Sequence, residues 1–135
     1  MIAEDDAEDV VIFKAGLDEI KMPYIIRHAE NGEVLFVLLK ERIPYILFLD
    51  IHMPCKDGHA CILEIRKNRE YDKLPVIMYT SHSLKSSVET SFRNGANFYM
   101  PKPTKMQELS NNLRKIFSID WESQMHYPTI DSFVL

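Results

Sequence analysis

The sequence predicts an α/β fold in which a doubly wound, five-stranded parallel sheet of order 2-1-3-4-5 is covered by helices on both faces. Two observations support this fold class. Short runs of β-branched or aromatic residues recur along the chain, and a segment with helical apolar spacing separates each run from the next. Since strands that alternate with helices are joined by right-handed crossovers, they lie parallel in one sheet. The predicted strands lie at residues 1–4, 24–29, 45–50, 74–80 and 97–100.

Three of the predicted helices carry apolar residues that recur on one face. Gly95 is expected to end the fourth helix. Thr104 and Gln107 have the spacing of a capping box at the start of the fifth helix. The apolar residues are Val10, Phe13, Leu17 and Ile20 in the first helix, Leu84, Val88 and Phe92 in the fourth, and Met106, Leu109, Leu113 and Ile116 in the fifth.

The segment 34–39 fits two structures. Its six consecutive apolar residues follow Asn31-Gly32, a pair typical of hairpin turns, so a strand is one interpretation. We predict a helix, because the runs on either side must be joined by a crossover if they are parallel strands.

Composition and charge exclude several classes of function. The 135 residues make about one domain. The 16 basic and 20 acidic residues give a net charge of −4, so we expect no nucleic-acid or membrane partner.

No apolar run approaches the roughly 18 residues of a membrane span, and the acidic start is unlike a signal peptide. Both features predict a cytoplasmic protein. Cys55 and Cys61 are too few for a disulfide framework or zinc site and are expected to be free thiols.

Polar side chains are predicted to meet at the carboxyl ends of the strands, where sheets of this type bind ligands. Glu4 and Asp5 follow the first strand and Asp50 follows the third, so three carboxylates converge. Like charges repel unless a cation lies between them, and oxygen ligands favour Mg²⁺. Thr80 ends the fourth strand and Lys102 follows the fifth. A carboxylate, a cation, a hydroxyl and an ammonium together suit the transfer of a phosphoryl group.

The acidic triplet at residues 4–6 has a second interpretation. A run of carboxylates at the start of a helix is often only a solvated first turn that the helix dipole stabilises. Asp50 does not fit that interpretation, because it directly follows four apolar residues at the end of a buried strand.

The sequence resembles the receiver domains of two-component response regulators. Thr80 and Lys102 follow Asp50 by 30 and 52 residues, as in that family. The resemblance covers about residues 1–117 and implies a flavodoxin-like (βα)5 receiver domain, with residues 118–135 as a C-terminal tail and no output domain. Residues 95–99 and Trp121 resemble stand-alone receivers associated with phytochrome-type kinases. The matching motifs are Glu4-Asp5, residues 49–58, Thr80-Ser81, Gly95-Ala96, Tyr99 and Lys102-Pro103.

The resemblance implies a phosphoacceptor and a metal site. Asp50 would take a phosphoryl group from a phosphohistidine, giving a 4-aspartylphosphate. Asp5 and Asp50 would bind Mg²⁺ directly, Glu4 would bind it through water, and the backbone carbonyl of His52 would complete the protein ligands. Apart from its own phosphorylation and autodephosphorylation, the protein would not be an enzyme.

The resemblance also assigns a switch. Lys102 would pair with Asp50 and then with the phosphoryl group, and its peptide bond to Pro103 would be cis. Thr80 would move toward the phosphoryl group, and Tyr99 would change its exposure in concert with it. Tyr99 on its own equally fits an ordinary edge-strand aromatic residue.

Two histidines are predicted to modulate phosphoryl lifetime. His52 and His82 stand two residues after Asp50 and Thr80, positions that in receivers flank the path of the hydrolytic water. Two imidazoles should crowd that path and slow autodephosphorylation. The alternatives are that both rings point into solvent, or that they help to bind a transition metal.

The resemblance implies protein partners. A sensor histidine kinase or a histidine phosphotransfer protein would supply or receive the phosphoryl group, and a downstream protein would read it. The apolar residues of the tail predict that it packs on its own domain or across a homodimer, and a disordered tail is the alternative. The resemblance implies that a dimer would form through the fourth helix, fifth strand and fifth helix.

Three other functions were weighed. A haloacid dehalogenase-like phosphohydrolase also places an aspartate nucleophile after a parallel strand, but it needs an acid two residues later, where this chain has His52. A flavodoxin-type electron carrier would need hydroxyls and glycine in the first loop, where residues 7–9 are largely acidic. A pseudo-receiver that only binds partners would not need the complete set of chemical residues.

Overall fold

The computed structural model describes residues 1–135 and confirms the predicted sheet. Five parallel strands pair in the order β2-β1-β3-β4-β5. Their carboxyl ends lie at one edge of the sheet, on either side of the switch point between β1 and β3. The strands are β1 (Ile2–Ala3), β2 (His28–Ala29), β3 (Leu47–Leu49), β4 (Val76–Thr80) and β5 (Phe98–Pro101).

A helix follows each strand. The apolar segment 34–39 lies within α2, so the prediction of a helix rather than a hairpin strand is confirmed. A 3-10 turn at Arg69–Tyr71 connects α3 to β4. The helices are α1 (Ala7–Glu19), α2 (Gly32–Glu41), α3 (Gly58–Lys67), α4 (Lys85–Arg93), α5 (Met106–Ser118) and the short α6 (Ile130–Phe133).

The sheet separates two apolar layers. Helices α1 and α5 pack on one face through residues such as Phe13 and Leu113, and α2 and α3 pack on the other through residues such as Leu35 and Ile62. All four of these side chains are almost completely buried. The two layers fix the strand ends, and with them the polar side chains that follow β1, β3, β4 and β5.

Strand β2 is shorter than predicted. Only His28 and Ala29 pair, because β1 offers only Ile2 and Ala3 as partners on that side. Ile25, inside the predicted run, is 93% exposed. The β-branched composition of residues 24–29 therefore predicted a longer strand than the one that forms, because the short β1 limits how many residues of the run can pair.

Two predicted helix boundaries are wrong by one residue. The N-cap of α5 is Lys105, and no side chain caps this helix, because Thr104 lies one position too early. The amide of Gln107 instead donates to Asn111 Oδ1 at 3.1 Å. At α4, Leu84 is the N-cap residue and is 64% exposed, so it does not join the apolar face.

The tail packs on its own domain. Trp121 is buried, and its indole N–H donates to the carbonyl oxygen of Ile116 at 3.0 Å. Further along, Phe133 is completely buried against the sheet, and Val134 forms a parallel bridge with Tyr99. The tail thus continues past α5 to cover the free edge of β5.

Both cysteines are free thiols, as predicted. Cys55 is exposed, whereas Cys61 is buried, and burial raises the pKa of its thiol to about 11. None of the helices combines the length and the apolar composition needed to span a bilayer.

Candidate functional site

The three predicted carboxylates meet at the switch point. One carboxylate oxygen from each of Glu4, Asp5 and Asp50 lies within 4.8 Å of the others. Asp5 is exposed, whereas Glu4 and Asp50 are buried, so the cluster opens to solvent on one side only. Three oxygens at this spacing match the donor type that Mg²⁺ prefers.

Lys102 holds the buried side of this cluster. Its ammonium donates to Glu4 Oε1 at 2.9 Å, to Asp9 Oδ2 at 2.8 Å and to Asp50 Oδ2 at 3.3 Å. The side chain is only 12% exposed. An ammonium has three N–H donors, so each of them meets one carboxylate.

The pKa values of these groups reflect burial and mutual charge. Burial first, and the proximity of Asp50 second, raise the pKa of Glu4 to about 9 despite the opposing effect of Lys102. For Lys102, burial favours the neutral amine, but the hydrogen bonds to Asp9 and Glu4 and the charge of Asp50 outweigh it and raise its pKa above the usual range. The contacts therefore favour the charged form of the lysine, while burial favours the protonated form of Glu4.

One oxygen atom in the cluster has no partner. Glu4 Oε2 is the only buried side-chain oxygen or nitrogen in the protein that makes no hydrogen bond. Leaving such a group unpaired costs on the order of 1–3 kcal/mol. A divalent cation, or a water bound to one, would satisfy this oxygen, so the residues present fit a hard metal ion.

The loop after β3 presents Asp50. The backbone N–H of Ile51 donates to Asp50 Oδ1 at 2.7 Å, which leaves Oδ2 facing Lys102. At the end of the loop, Gly58 donates its N–H to the carbonyl oxygen of Ile51 at 2.7 Å. A Cβ at position 58 would lie 2.2 Å from the carbonyl oxygen of Asp50, so only glycine fits here. Asp57 caps α3 by accepting from Ala60 N at 2.9 Å.

The predicted switch residues are connected through the loop after β4. Thr80 is completely buried, and its hydroxyl oxygen accepts from the backbone N–H of His82 at 3.4 Å. The phenol of Tyr99 donates to the carbonyl oxygen of the same His82 at 2.5 Å. Burial, with a smaller contribution from the charge of Asp50, raises the pKa of Tyr99 to about 12, so the phenol remains a donor.

The two predicted modulating histidines touch one another. The rings of His52 and His82 have their centroids 4.0 Å apart and are tilted by 49°. Both residues are exposed, and they stand on the loops after β3 and β4. The carbonyl oxygen of His52, the predicted fourth metal ligand, accepts no hydrogen bond within the chain.

The predicted cis peptide bond between Lys102 and Pro103 is wrong, because every peptide bond in the structure is trans. A bond preceding proline favours trans by about 0.5–1 kcal/mol unless its surroundings select the other isomer. Lys102 reaches all three of its carboxylate partners with the trans bond in place.

Two residues of the site were missed by sequence reasoning. Asp9, in the first turn of α1, contacts Lys102, and the imidazole Nε2 of His28 lies 2.6 Å from the carbonyl oxygen of Glu4. The only sequence signal for Asp9 was its place in the acidic stretch that follows β1. His28 begins β2 and pairs with Ile2 of β1, and its place in the predicted strand 24–29 was the only signal for the histidine.

Comparisons with known proteins agree with this geometry. A family model described as "Response regulator receiver domain" matches residues 1–114. The probable C4-dicarboxylate response regulator DctR of Bacillus subtilis is 31% identical over 115 residues, which are 85% of this chain and 50% of that protein. The probable transcriptional regulator ycf27 of Guillardia theta is 31% identical over 116 residues, 86% of this chain and 44% of that protein. The chain therefore spans at most about half the length of these curated relatives.

Solved structures show the same fold. A response regulator structure from Chloroflexus aurantiacus is 27% identical with a TM-score of 0.76, covering 87% of this chain and 95% of that one. The phosphorylated cyanobacterial phytochrome response regulator RcpA superposes with a TM-score of 0.79 at 20% identity, covering 95% and 96% of the two chains. The second likeness concerns the fold alone.

Proposed function

The chain belongs to the response regulator receiver domain family of two-component systems, and from this membership and the geometry of the site we propose that Asp50 is its phosphoacceptor. The observation that supports this assignment most strongly is the position of Asp50 Oδ2. It lies 3.3 Å from the ammonium of Lys102, within the three-carboxylate cluster. Asp5 is exposed and makes no hydrogen bond to Lys102. Glu4 does bond to Lys102, but it is only 1% exposed against 6% for Asp50, so Asp50 is the more accessible of the two cluster carboxylates that contact the lysine.

The cluster would hold Mg²⁺. Asp5 and Asp50 would bind the ion directly, Glu4 would bind it through water, and the carbonyl oxygen of His52 would be the remaining protein ligand. The ion would neutralise the charge that otherwise repels an incoming phosphoryl donor. The partnerless Oε2 of Glu4 supports this assignment, because it needs a cation or a metal-bound water nearby.

The chain's own residues would perform the transfer. An oxygen of the Asp50 carboxylate attacks the phosphorus of a phosphohistidine, the P–N bond breaks, and the imidazole leaves with the bonding electrons. Lys102 and the hydroxyl of Thr80 would stabilise the phosphoryl oxygens. Hydrolysis of the resulting 4-aspartylphosphate by water would return the carboxylate and free phosphate, with no other enzymatic activity required.

Thr80 and Tyr99 would transmit the change. If the Thr80 hydroxyl turned toward a phosphoryl group, it would lose the hydrogen bond that it now accepts from the backbone N–H of His82. The carbonyl oxygen of His82 is held by Tyr99, so a shift of this loop changes the environment of the buried phenol. Receiver output would therefore follow the position of the loop after β4.

Partners and location follow from this role. The phosphoryl donor would be a sensor histidine kinase or a histidine phosphotransfer protein, and output would be contact with a further protein or onward transfer. A homodimer through α4, β5 and α5 would include the tail, which lies on β5. The absence of a membrane-spanning helix is compatible with a cytoplasmic protein.

A haloacid dehalogenase-like phosphohydrolase is a weaker interpretation. Such an enzyme needs an acidic residue two positions after the nucleophile to protonate the leaving group. This chain has His52 at that position, and its ring lies against the ring of His82. The matched family and the relatives described above are response regulators, which favours phosphoryl acceptance over turnover.

Labelling with acetyl phosphate tests the proposal. Intact-mass analysis should detect one added phosphoryl group per chain when Mg²⁺ is present, and none after EDTA treatment. Asp50→Asn should abolish labelling, whereas the matched variant Asp57→Asn, seven residues later in the same loop, should leave it in place. Labelling of Asp50→Asn to the parental extent, or labelling that persists in EDTA, would contradict the assignment.

A further inference from the structure

Asp9 is the nearest of the three carboxylates that meet Lys102. Its Oδ2 lies 2.8 Å from the ammonium, against 2.9 Å for Glu4 and 3.3 Å for Asp50. Asp9 stands apart from the three-oxygen cluster of Glu4, Asp5 and Asp50. Its only tight partner in the site is therefore the lysine.

The backbone fixes the position of Asp9. Asp6 caps α1 by accepting from the N–H of Glu8 at 2.8 Å and from the N–H of Asp9 at 3.4 Å. The side chain of Asp9, on the first turn of the helix, is 30% exposed. The start of α1 thus places the Asp9 carboxylate against the ammonium of Lys102.

From this geometry, and on the basis of the proposed function, we propose that Asp9 is a positioning residue that competes with Asp50 for Lys102 and so lowers the affinity of the site for a phosphoryl group. An ammonium whose three N–H groups are divided among three carboxyl groups interacts less strongly with each of them than it would with one partner alone. A phosphoryl group on Asp50 must draw Lys102 away from Asp9, and Asp9 also adds a negative charge near that group.

Neutralising Asp9 should change the affinities of the site for two ligands differently. Asp9→Asn should bind beryllofluoride, an analogue of the aspartyl phosphoryl group, about three- to tenfold more tightly, because Lys102 is released and one repulsive charge is lost. Binding of Mg²⁺ alone should be unchanged or weaker by about twofold, since a nearby negative charge is removed. A role for Asp9 in folding alone would weaken both ligands.

Isothermal titration calorimetry of both ligands provides the test, with beryllofluoride titrated at saturating Mg²⁺. The matched control is Glu8→Gln. It removes a charge of the same sign one position earlier in the chain, from an exposed side chain that makes no contact with Lys102. Asp9→Glu, which keeps the charge, should return the affinity toward the parental value. The inference would be overturned, with the proposed function unaffected, if Asp9→Asn bound beryllofluoride with an affinity within twofold of the parental value. The same would follow if Glu8→Gln gained as much affinity as Asp9→Asn. A parent that binds no beryllofluoride would overturn the proposed function as well.

A different observation concerns the end of the chain. Residues 130–135, called here the C-terminal segment, lie along β5 at the residue predicted to be a switch. Leu135 donates its N–H to the carbonyl oxygen of Tyr99 at 2.9 Å, and Val134 bridges Tyr99 in parallel. The ring of Phe133 lies 6.2 Å from the Tyr99 ring and 5.3 Å from the Phe92 ring of α4.

We infer that the C-terminal segment is an internal ligand of the β5 edge whose docking depends on the position of Tyr99. Three contacts connect the segment to this residue, and the Tyr99 phenol is in turn bonded to the loop after β4. The segment occupies the edge of β5 at Tyr99, so a partner strand that pairs there would have to displace it. If phosphorylation moves Tyr99, it must change the affinity of the segment, and by linkage the segment must change the affinity for the phosphoryl group by the same factor.

Hydrogen exchange of the Leu135 amide, measured by NMR, tests the first half of this inference. Beryllofluoride with Mg²⁺ should accelerate exchange at Leu135 by about tenfold. Asp50→Asn should show no acceleration. Unchanged exchange in the beryllofluoride-bound parent would overturn the inference.

Reciprocity tests the second half. Phe133→Ala removes a completely buried ring from a four-residue helix at the chain end, so it should undock the segment without unfolding the sheet. Its beryllofluoride affinity should rise by the factor by which exchange accelerated. Ile130→Ala, in the same segment but 45% exposed, is the matched control and should behave as the parent. An affinity of Phe133→Ala equal to that of Ile130→Ala would contradict the coupling.

Discussion

Tyr99 and His82 share a hydrogen bond of 2.5 Å, from the phenol to the backbone carbonyl oxygen, which fastens the loop after β4 to the strand at the sheet edge. The N–H of the same His82 points to the hydroxyl of Thr80. One loop residue thus contacts both predicted switch side chains.

Removing that phenol should weaken the fold modestly. Tyr99→Phe should lower the free energy of unfolding by about 1 kcal/mol, because a neutral hydrogen bond is lost while the exposed loop can recover water. Chemical denaturation measures the change. Tyr127→Phe, at an exposed phenol without a hydrogen bond, is the matched control, and a loss in Tyr99→Phe no larger than in this control would contradict the role of the bond.

The glycine behind Asp50 should not tolerate a side chain. Gly58→Ala would place a methyl group 2.2 Å from the carbonyl oxygen of Asp50, so the loop after β3 has to move. A loss of about 2–3 kcal/mol of stability is expected, together with reduced labelling of Asp50. Ala60→Leu, two residues later on the exposed face of α3, should change both by little. Parental stability and labelling of Gly58→Ala would show that the close approach is not required.

The alternation of strand-like runs with segments of helical apolar spacing predicted the sheet order and the helices other than the one at residues 34–39. The run at 34–39 was assigned correctly as a helix because the topology required a crossover. The β2 boundary was not predictable, because its length depends on which residues of β1 lie beside it. Local patterns likewise mislocated the cap of α5, where Thr104 is one residue outside the helix start.

The site residues that directly follow strands were predicted, whereas Asp9 in α1 and His28 in β2 were missed. Glu4, Asp5 and Asp50 follow strands, so the topology alone brings them together. Asp9 and Lys102 are 93 positions apart and meet only because α1 and the loop after β5 lie at the same edge of the sheet. No periodicity in the sequence encodes such a contact, and the expected cis bond at Lys102 came from the resemblance and not from any local pattern.

Binding of Mg²⁺ should strengthen as pH rises. Burial, with Asp50, raises the pKa of Glu4 to about 9 from an ordinary 4.5, so the folded protein holds a proton there that the unfolded chain releases. Without metal, the stabilising contribution of that proton is complete below about pH 4.5 and is lost as pH rises to about 9. Because Mg²⁺ requires the deprotonated site, its apparent affinity should increase by up to about tenfold per pH unit between pH 7 and 9.

Calorimetric titration of Mg²⁺ at pH 7, 8 and 9 measures this dependence. Glu4→Gln, which has no proton to release, should flatten the profile, and Glu122→Gln, at an exposed acid of the tail, should retain the parental slope. An affinity that is independent of pH in the parent, or a Glu4→Gln profile as steep as the parental one, would count against a protonated Glu4.

The histidine pair should lengthen the life of the phosphoryl group. The ring centroids of His52 and His82 lie 4.0 Å apart, on the loops after β3 and β4, and we expect the pair to narrow the approach of water to Asp50. The double variant His52→Ala and His82→Ala should dephosphorylate several-fold faster at saturating Mg²⁺, whereas the double phenylalanine variant, which keeps the bulk, should remain slow. Release of radiolabelled phosphate between pH 6 and 8 gives the rates, and equal rates in the double alanine variant and the parent at every pH would end the shielding hypothesis.

Phosphoacceptance by Asp50 is tested most directly by locating the modified residue itself. Protein labelled with acetyl phosphate and Mg²⁺ is reduced with borohydride, which converts an acyl phosphate to the corresponding alcohol, and is then sequenced by peptide mass spectrometry. The geometry around Lys102 predicts homoserine at position 50 and unchanged carboxylates at Glu4, Asp5 and Asp9. Homoserine at position 5 or 9, a reduced glutamate at position 4, or an unmodified Asp50 in fully labelled protein would contradict it.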